Sequence, residues 1–428
     1  MFVSVLRLVV LALVLVAATI GFLFLTRGTA VRRVRGVGGD GTPVAPDEPE
    51  FPATVAMLTG AELLAGTRVE LVLNGDGIFP RLFADLRAAE QAITVQMYYM
   101  GPGRVADELA EVLTERARAG VRVFVLFDAF GASALPRTYW KALRAGGVRA
   151  VAFRPLRFRN LWVVQNRAHT RGVVVDGKVG WTGGFGIDDK WLGDGHTRGA
   201  WRETAVRIEG PAVHQLQAAI VSAWAESTGE LFSGRVQEGA CADGTVDAAA
   251  VLATAPTLGS TPAERFLALS IAGARRTLYV TNAYFAPDKN FTALLARAAG
   301  RGVDVRVLVG GASTDVRVAR IAGQARYERL LEAGVRIYEY LPSTLHAKTF
   351  VADGCWATVG TMNFDNRSLA LNDEVTCLVR DAGFGRAMDA LFLDDLGRAE
   401  EIDLAGFRRR PWYVRAAEWG ANLITPLL

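Results

Sequence analysis

Cysteine and histidine are both scarce in this sequence. The three cysteines, Cys241, Cys355 and Cys377, stand far apart and without the close pairing that ligates zinc. That argues against a disulfide framework and against a structural metal site. With only four histidines in 428 residues, two in matching surroundings stand out. Excess charge is also small. A net charge of +4 suits an anionic phosphate substrate or a lipid surface, yet is too little to point to nucleic acid. Half the residues (51%) are apolar, so a globular body with a sizeable core is expected. A prior of about 150 residues per domain gives two or three domains for this length.

Charge is missing altogether between Leu8 and Thr26. At about 1.5 Å per residue that run makes a helix of roughly 28 Å, long enough to cross a hydrocarbon core. A cleaved signal peptide is the rival reading, but its apolar region is usually about 7–15 residues. A single-pass transmembrane anchor is therefore expected, with residues 1–35 as anchor and basic flank. Arg7 precedes the run and Arg27, Arg32, Arg33 and Arg35 follow it; the positive-inside rule then places the body on the cytoplasmic side of the cell membrane. Residues 36–58, rich in Gly, Pro and acidic side chains at their start, read as a linker.

The body shows strand–helix alternation. Thr94 to Tyr99 reads as a buried strand, Val105 to Ala119 as a helix and Val121 to Phe127 as a second strand. The order returns at Thr277 to Tyr284, Phe291 to Ala299 and Val303 to Val309. The fold class expected is α/β, with two similar halves of mixed, mostly parallel sheet covered by helices. Residues 59–232 form the first, 233–262 an irregular crossover, 263–397 the second, and 398–428 an amphipathic tail.

Each half holds a second recurrence. The first carries NRAHTRGVVVDGKVGWTGGFGIDD from Asn166, the second TLHAKTFVADGCWATVGTMNFDNRS from Thr344. Alternating side chains put His346 and Lys348 on one face of a strand, and likewise His169 and Arg171. Asp-Gly is the favoured two-residue hairpin turn, so the chain should reverse at Asp176-Gly177 and Asp353-Gly354. A hairpin in register returns past His346 near Thr361 to Asn363. Imidazole, ammonium and amide then converge on a site suited to phosphate. Asp353, seven residues from His346, is roughly 23 Å away along an extended strand at ~3.3 Å per residue. Asp176 and Asp353 are therefore turn and folding residues.

The pattern His346-x-Lys348-x4-Asp353-x6-Gly360-Thr361-x-Asn363 resembles the signature of the phospholipase D superfamily, which has one copy in each half. WRETAVRIEGPAV from Trp201, AYFAPD from Ala283, LLEAGVRIYEY from Leu330 and the closing PWYVRAAEWGANLITPLL resemble the bacterial cardiolipin synthases within it. The resemblance implies that both histidines meet between the halves. One forms a phosphohistidine and the other serves as general acid and base, without metal or cofactor. It assigns His169 as nucleophile, His346 as acid/base, and Glu203 and Glu374 as the acids that orient the imidazoles. Gly183, Gly184, Gly360 and Thr361 fall at substrate-contacting positions. The activity implied is phosphatidyl transfer to phosphatidylglycerol in a lipid bilayer, with no nucleic-acid partner. Hydrolysis by the same site, and a lipid-binding protein with a degenerate site, are the alternatives.

The first motif departs from the family pattern: Arg171 replaces lysine, and Gly186 stands where asparagine is usual. Arginine keeps the charge but is larger and planar, so this half is either degenerate or a modified working site. His196 lies in a loop, open to substrate or simply exposed, and His214 reads as a structural helix residue. Tyr284 and Phe285 fit either a lipid pocket or the core. Trp412, Ala416, Trp419, Leu423 and Leu427 recur at helical spacing, as an interfacial helix or as one docked on its own domain.

Overall fold

A computed structural model of the chain describes residues 2–26, 31–37, 41–155, 166–232, 243–257 and 259–423. Helices α1 (Phe2–Thr26) and α2 (Phe51–Thr59) precede the first half. That half runs β1 (Arg68–Leu73), α3 (Asn74–Arg87), β2 (Ala92–Met97), α4 (Arg104–Arg118), β3 (Arg122–Asp128), α5 (Arg137–Ala145) and β4 (Arg149–Phe153). It closes with β5 (Arg171–Val175), β6 (Val179–Gly183), β7 (Trp201–Arg202), β8 (Thr204–Glu209) and α6 (Ala212–Thr228). The second half repeats the plan as β9 (Ala248–Thr254), α7 (Pro262–Gly273), β10 (Thr277–Asn282), α8 (Lys289–Gly300), β11 (Asp304–Gly310), α9 (Arg317–Glu332) and β12 (Arg336–Tyr340). It continues through β13 (Thr344–Leu345), β14 (Lys348–Ala352), β15 (Trp356–Gly360), α10 (Asn366–Ala370), β16 (Glu374–Arg380), α11 (Ala382–Leu396) and β17 (Ala399–Glu401). Helices α12 (Leu404–Arg408) and α13 (Trp412–Leu423) follow.

The first sheet is ordered β1-β8-β6-β5-β2-β3-β4 and the second β17-β12-β11-β10-β14-β15-β16-β9. Read from opposite ends, these are the same order with β17 added as an edge. Among the described residues these two sheets are mixed but not mostly parallel: β2–β3–β4 and β10–β11–β12 run parallel and the other pairs antiparallel. The reason is the hairpin in each half. Its return strand and the strand after it add antiparallel neighbours, whereas parallel pairing needs a helical crossover for each strand.

The inner faces of the sheets pack on each other through Val174, Val206, Ile208, Ala357, Val359 and Val375, all buried, with α6 and α11 filling out this central layer. Helices α3 and α4 cover the outer face of the first sheet. The outer face of the second is covered by α7, α8 and α9, joined by Phe51 and Val55 of α2. The residues read as linker thus end in a helix buried against the second half. The crossover also contains a strand, β9, which pairs with β16.

Both hairpins reverse at Asp-Gly with left-handed φ, 53° and 68° at Asp176 and Gly177, 56° and 65° at Asp353 and Gly354, the turn that suits strand twist. Each aspartate does a second job. Asp353 accepts the backbone N–H groups of Arg275, Arg276 and Thr277 at 2.9, 2.7 and 3.0 Å, and Asp176 those of Glu90, Gln91 and Ala92 at 2.9, 2.8 and 2.8 Å. The turn is thereby fastened to the start of the neighbouring strand. Asp353→Ala should destabilise the fold by about 2–4 kcal/mol, since buried donors lose a charged acceptor and a Cβ residue without a polar side chain is left at positive φ. A lowered midpoint of thermal unfolding checks this, with Asp353→Asn losing less.

The N-terminal apolar run is helical in α1, and its described apolar side chains from Val5 to Val16 are at least half exposed. Among the described residues, however, no helix is long and apolar enough to cross a membrane. The single-pass span expected for this run is therefore not supported among the described residues. Beyond it, Val31 and Val34 rest on the second half's core. At the other end, α13 packs along α9 and is fixed by Arg410–Glu418, while Arg408 pairs with Glu328 and Glu332. The helix is therefore docked on its own half, although Trp412 stays exposed. Leu427 and the side chains of Trp419 and Leu423 lie outside the described residues.

Candidate active site

Both histidines sit two residues ahead of a strand, His169 before β5 and His346 before β14. Their backbones are tied to the opposite half. Arg202 accepts the N–H groups of His346 and Ala347, at 2.8 and 3.1 Å, while Arg167 accepts the N–H of Asp373 at 2.9 Å. Arg202 and Asp373 are the residues immediately before Glu203 and Glu374. Each histidine segment therefore lies beside the other half's glutamate. A buried bidentate pair, Arg202 to Asp395 at 2.9 and 2.8 Å, further locks the halves.

The glutamates consequently cross over. His169 Nδ1 lies 2.9 Å from both carboxylate oxygens of Glu374, and His346 Nδ1 lies 2.8 Å from Glu203 Oε2. All four residues are buried. A carboxylate at Nδ1 holds the proton there and leaves Nε2 with its lone pair. Burial pushes both imidazoles well below the ordinary histidine range, reinforced by Arg171 beside His169 and by Lys348 beside His346. The same burial raises Glu203, and raises Glu374 to about 7.

The two cations are also in place. Arg171 Nη2 lies 3.2 Å from His169 Nε2, and Nη1 donates to the carbonyl of His169 at 3.3 Å. Lys348 Nζ stands 2.9 Å from His346 Nδ1 and donates to its carbonyl. Burial brings this ammonium down to about 7. Asn363 lines the same cavity, almost wholly buried, with Oδ1 unpartnered among the described residues.

The small residues of the motifs do something other than expected. Gly183, Gly184, Gly360 and Thr361 are not among the residues lining the cavity. A Cβ on Gly184 would come within 2.6 Å of Glu203 Oε1, and one on Gly360 within 2.5 Å of the Val375 carbonyl. Thr361 Oγ1 donates to Glu374 Oε2. Gly184 thus makes room for Glu203 and Thr361 holds Glu374, while Gly183 and Gly360 let the neighbouring strand approach closely. In the first half the indole of Trp191 takes over, donating to Glu203 Oε2 at 3.2 Å. The same ring explains Gly186: a Cβ there would meet Trp191 at 2.7 Å. Asparagine is absent because a tryptophan fills its space.

The histidines open onto a cavity of about 520 Å³ walled by Tyr98, Tyr99, Phe130, Trp191, Trp201 and Val316. Motif reading missed this apolar wall and the cation Lys190. A signal did exist for part of it, since Tyr98 and Tyr99 follow β2 at its C-terminal end, where open α/β sheets bind ligands. Tyr284 also lines the cavity and donates its hydroxyl to Asp315 at 2.8 Å, whereas Phe285 is core. His196 is half-buried rather than exposed, its Nδ1 2.6 Å from the Tyr340 hydroxyl, and lies outside the cavity. His214 is on α6. Among the described residues, Cys355 and Cys377 are free and no His, Cys, Asp or Glu cluster is arranged to hold a metal.

Comparison with known proteins fits this geometry. The family described as "Cardiolipin synthase, PLD-like domain" matches residues 82–224 and 267–396, one match in each half. Cardiolipin synthase of Geobacillus kaustophilus is 36% identical over 371 residues, covering 85% of this chain and 72% of that protein. Cardiolipin synthase A of Pseudomonas putida is 34% identical over 366 residues, covering 85% and 76%. The crystal structure of phosphatidylserine synthase from Haemophilus influenzae superposes with a TM-score of 0.66 over 89% of this chain and 100% of that one, at 14% identity, a likeness of fold. The chain belongs to the cardiolipin synthase family of phospholipase D-like proteins.

Proposed function

We propose that the chain is a phosphatidyltransferase that makes cardiolipin, using phosphatidylglycerol as acceptor and passing through a phosphohistidine. The observation that carries this reading is the pair of buried histidines on one cavity, each held at Nδ1 by the other half's glutamate. His169 Nε2 attacks the phosphorus of the donor lipid, forming a P–N bond. The P–O bond to the headgroup breaks, and His346 gives the departing alkoxide its proton. Phosphatidylglycerol then enters, His346 takes the proton of its glycerol hydroxyl, and the oxygen displaces His169 from phosphorus. Burial and the neighbouring cations keep His346 neutral at rest. The donor's phosphate offsets those cations and so favours the protonated acid the first step needs. Arg171, Lys348 and the amide N–H group of Asn363, which lines the cavity, stabilise charge on the phosphoryl oxygens.

We read residues 59–232 and 263–397 as the two phospholipase D-like domains. The exposed apolar side chains of α1 support attachment at the cell membrane, where both substrates are confined to lipid; Arg32, Arg33 and Arg35, which follow the run, support a body on the cytoplasmic side. Hydrolysis is the second reading, with water in place of the acceptor in the same cavity. Purified protein in phosphatidylglycerol vesicles tests the choice. Cardiolipin and glycerol in equal amounts are expected. Release of phosphatidate alone would make the chain a hydrolase, and no turnover of any phospholipid would sink the reading.

A further inference from the structure

Lys190 is a cation lining the cavity that the chemistry above leaves unused. It follows Asp188 and Asp189 in a single 3-10 turn, Asp189–Trp191. Asp188 caps that turn by accepting the Lys190 N–H at 2.9 Å, and Asp189 accepts the N–H of Val105 at 3.0 Å. The backbone is therefore fixed. The side chain enters a box of aromatic faces, with Nζ 3.5 Å from the ring centroid of Tyr99, 4.2 Å from Trp201 and 4.7 Å from Trp191. No ion pair ties it to a carboxylate among the described residues. Asp188 and Asp315 act on it only from a distance, opposed by Arg171, and Asp315 already receives the hydroxyl of Tyr284.

The other cations around the cavity are engaged. Arg171 and Lys348 lie on the histidines, Arg167 is 3.6 Å from Asp128, and Arg367 lies near Asp365. An ammonium held by aromatic faces keeps its charge yet leaves its hydrogens free to donate. Its position is constrained too. The ring of Trp201, which Lys190 overlies, is 4.9 Å from the ring of His346. Lys190 is thus about one short molecular bridge from the acid/base.

We propose that Lys190, in its box of Tyr99, Trp191 and Trp201, is a second anion subsite that holds the phosphate of the acceptor lipid while that lipid's hydroxyl meets His346. The inference rests on the transferase reading and adds what selects the acceptor. The product of that reaction carries two phosphates joined by a three-carbon bridge. One is the transferring phosphate at His169, so a second site for negative charge must lie a bridge-length away. Water and simple alcohols have no phosphate to place there. Lys190 therefore favours lipid over water as acceptor, by anchoring rather than by touching the reacting atoms.

Competition between acceptors tests this. The full chain is given phosphatidylglycerol vesicles containing a fixed excess of ethanol, and cardiolipin and phosphatidylethanol are measured together. Lys190→Met should lower the ratio of the two at least tenfold, while Lys190→Arg keeps it within a few-fold of wild type. An unchanged ratio in Lys190→Met overturns the proposal. A second measurement needs no variant: wild type should transfer to glycerol 3-phosphate at least tenfold better than to glycerol, and equal rates overturn it. Wild type that forms phosphatidylethanol but no cardiolipin would instead remove the lipid-acceptor reading beneath it.

Discussion

His169→Ala should lower cardiolipin formation by about four orders of magnitude or more, because in the proposed mechanism it removes the atom that bonds to phosphorus. His346→Ala should cost a similar amount on natural lipid, since a glycerol alkoxide is a poor leaving group without a proton. The two losses differ in kind. A phosphodiester with a nitrophenol leaving group needs no proton on departure. His346→Ala should recover release of nitrophenol from such a substrate, at least as a single-turnover burst, whereas His169→Ala should not. Recovery in the His169 variant alone would reverse the assignment of nucleophile and acid. The geometry makes the experiment clean, because each histidine has its own glutamate and its own cation.

The second large effect falls on a residue far from its partner in sequence. Glu374→Gln should reduce kcat by roughly a hundred- to ten-thousand-fold with little change in KM, as expected when an imidazole loses the acceptor that fixes its tautomer. The amide is nearly isosteric but keeps a single acceptor oxygen, where Glu374 accepts from Thr361 at Oε2 and from Asn372 at Oε1. What it cannot supply is negative charge beside His169 and Arg171. Because the two side chains act as a unit, Glu374→Gln in a His169→Ala background should cost almost nothing more. A double-mutant cycle on single-turnover rates checks this. Full additivity would mean that Glu374 works elsewhere than through His169.

The sequence made some of this site legible and hid the rest for physical reasons. Asp-Gly turns and alternating side chains are local, so the hairpins at Asp176 and Asp353 and the register carrying Asn363 to the cavity can be read from short segments. The repeated strand–helix order was enough to expect two similar halves. It did not give strand direction, because a buried strand reads the same whether its neighbour runs with it or against it; beyond the two expected hairpins, the antiparallel strands β1, β8, β9 and β16 leave no such local signal. Glu203 and Glu374 were identifiable as acids but not by partner. Their exchange depends on how Arg202 and Asp373 pair with the opposite half, a contact between residues more than a hundred positions apart. The cavity wall and Lys190 escaped for a related reason, since tyrosines and tryptophans gathered from several loops leave no spacing to recognise. Gly186 looked like a loss in sequence alone; the ring of Trp191 packed against it shows a substitution of one space-filling solution for another.

The exchanged glutamates give the contact between the halves a meaning beyond cohesion. A histidine whose tautomer is set by the other half is correctly poised only while the two sheets are docked. Separation by even a few ångströms unsets both imidazoles in the same event. In the proposed mechanism, catalytic competence is thus a property of the junction and is either wholly present or wholly absent. A half of this chain on its own, however well folded, carries a motif without a working site. In a protein built from a repeated unit, that arrangement ties the survival of each copy to the other: neither can drift out of alignment without silencing both.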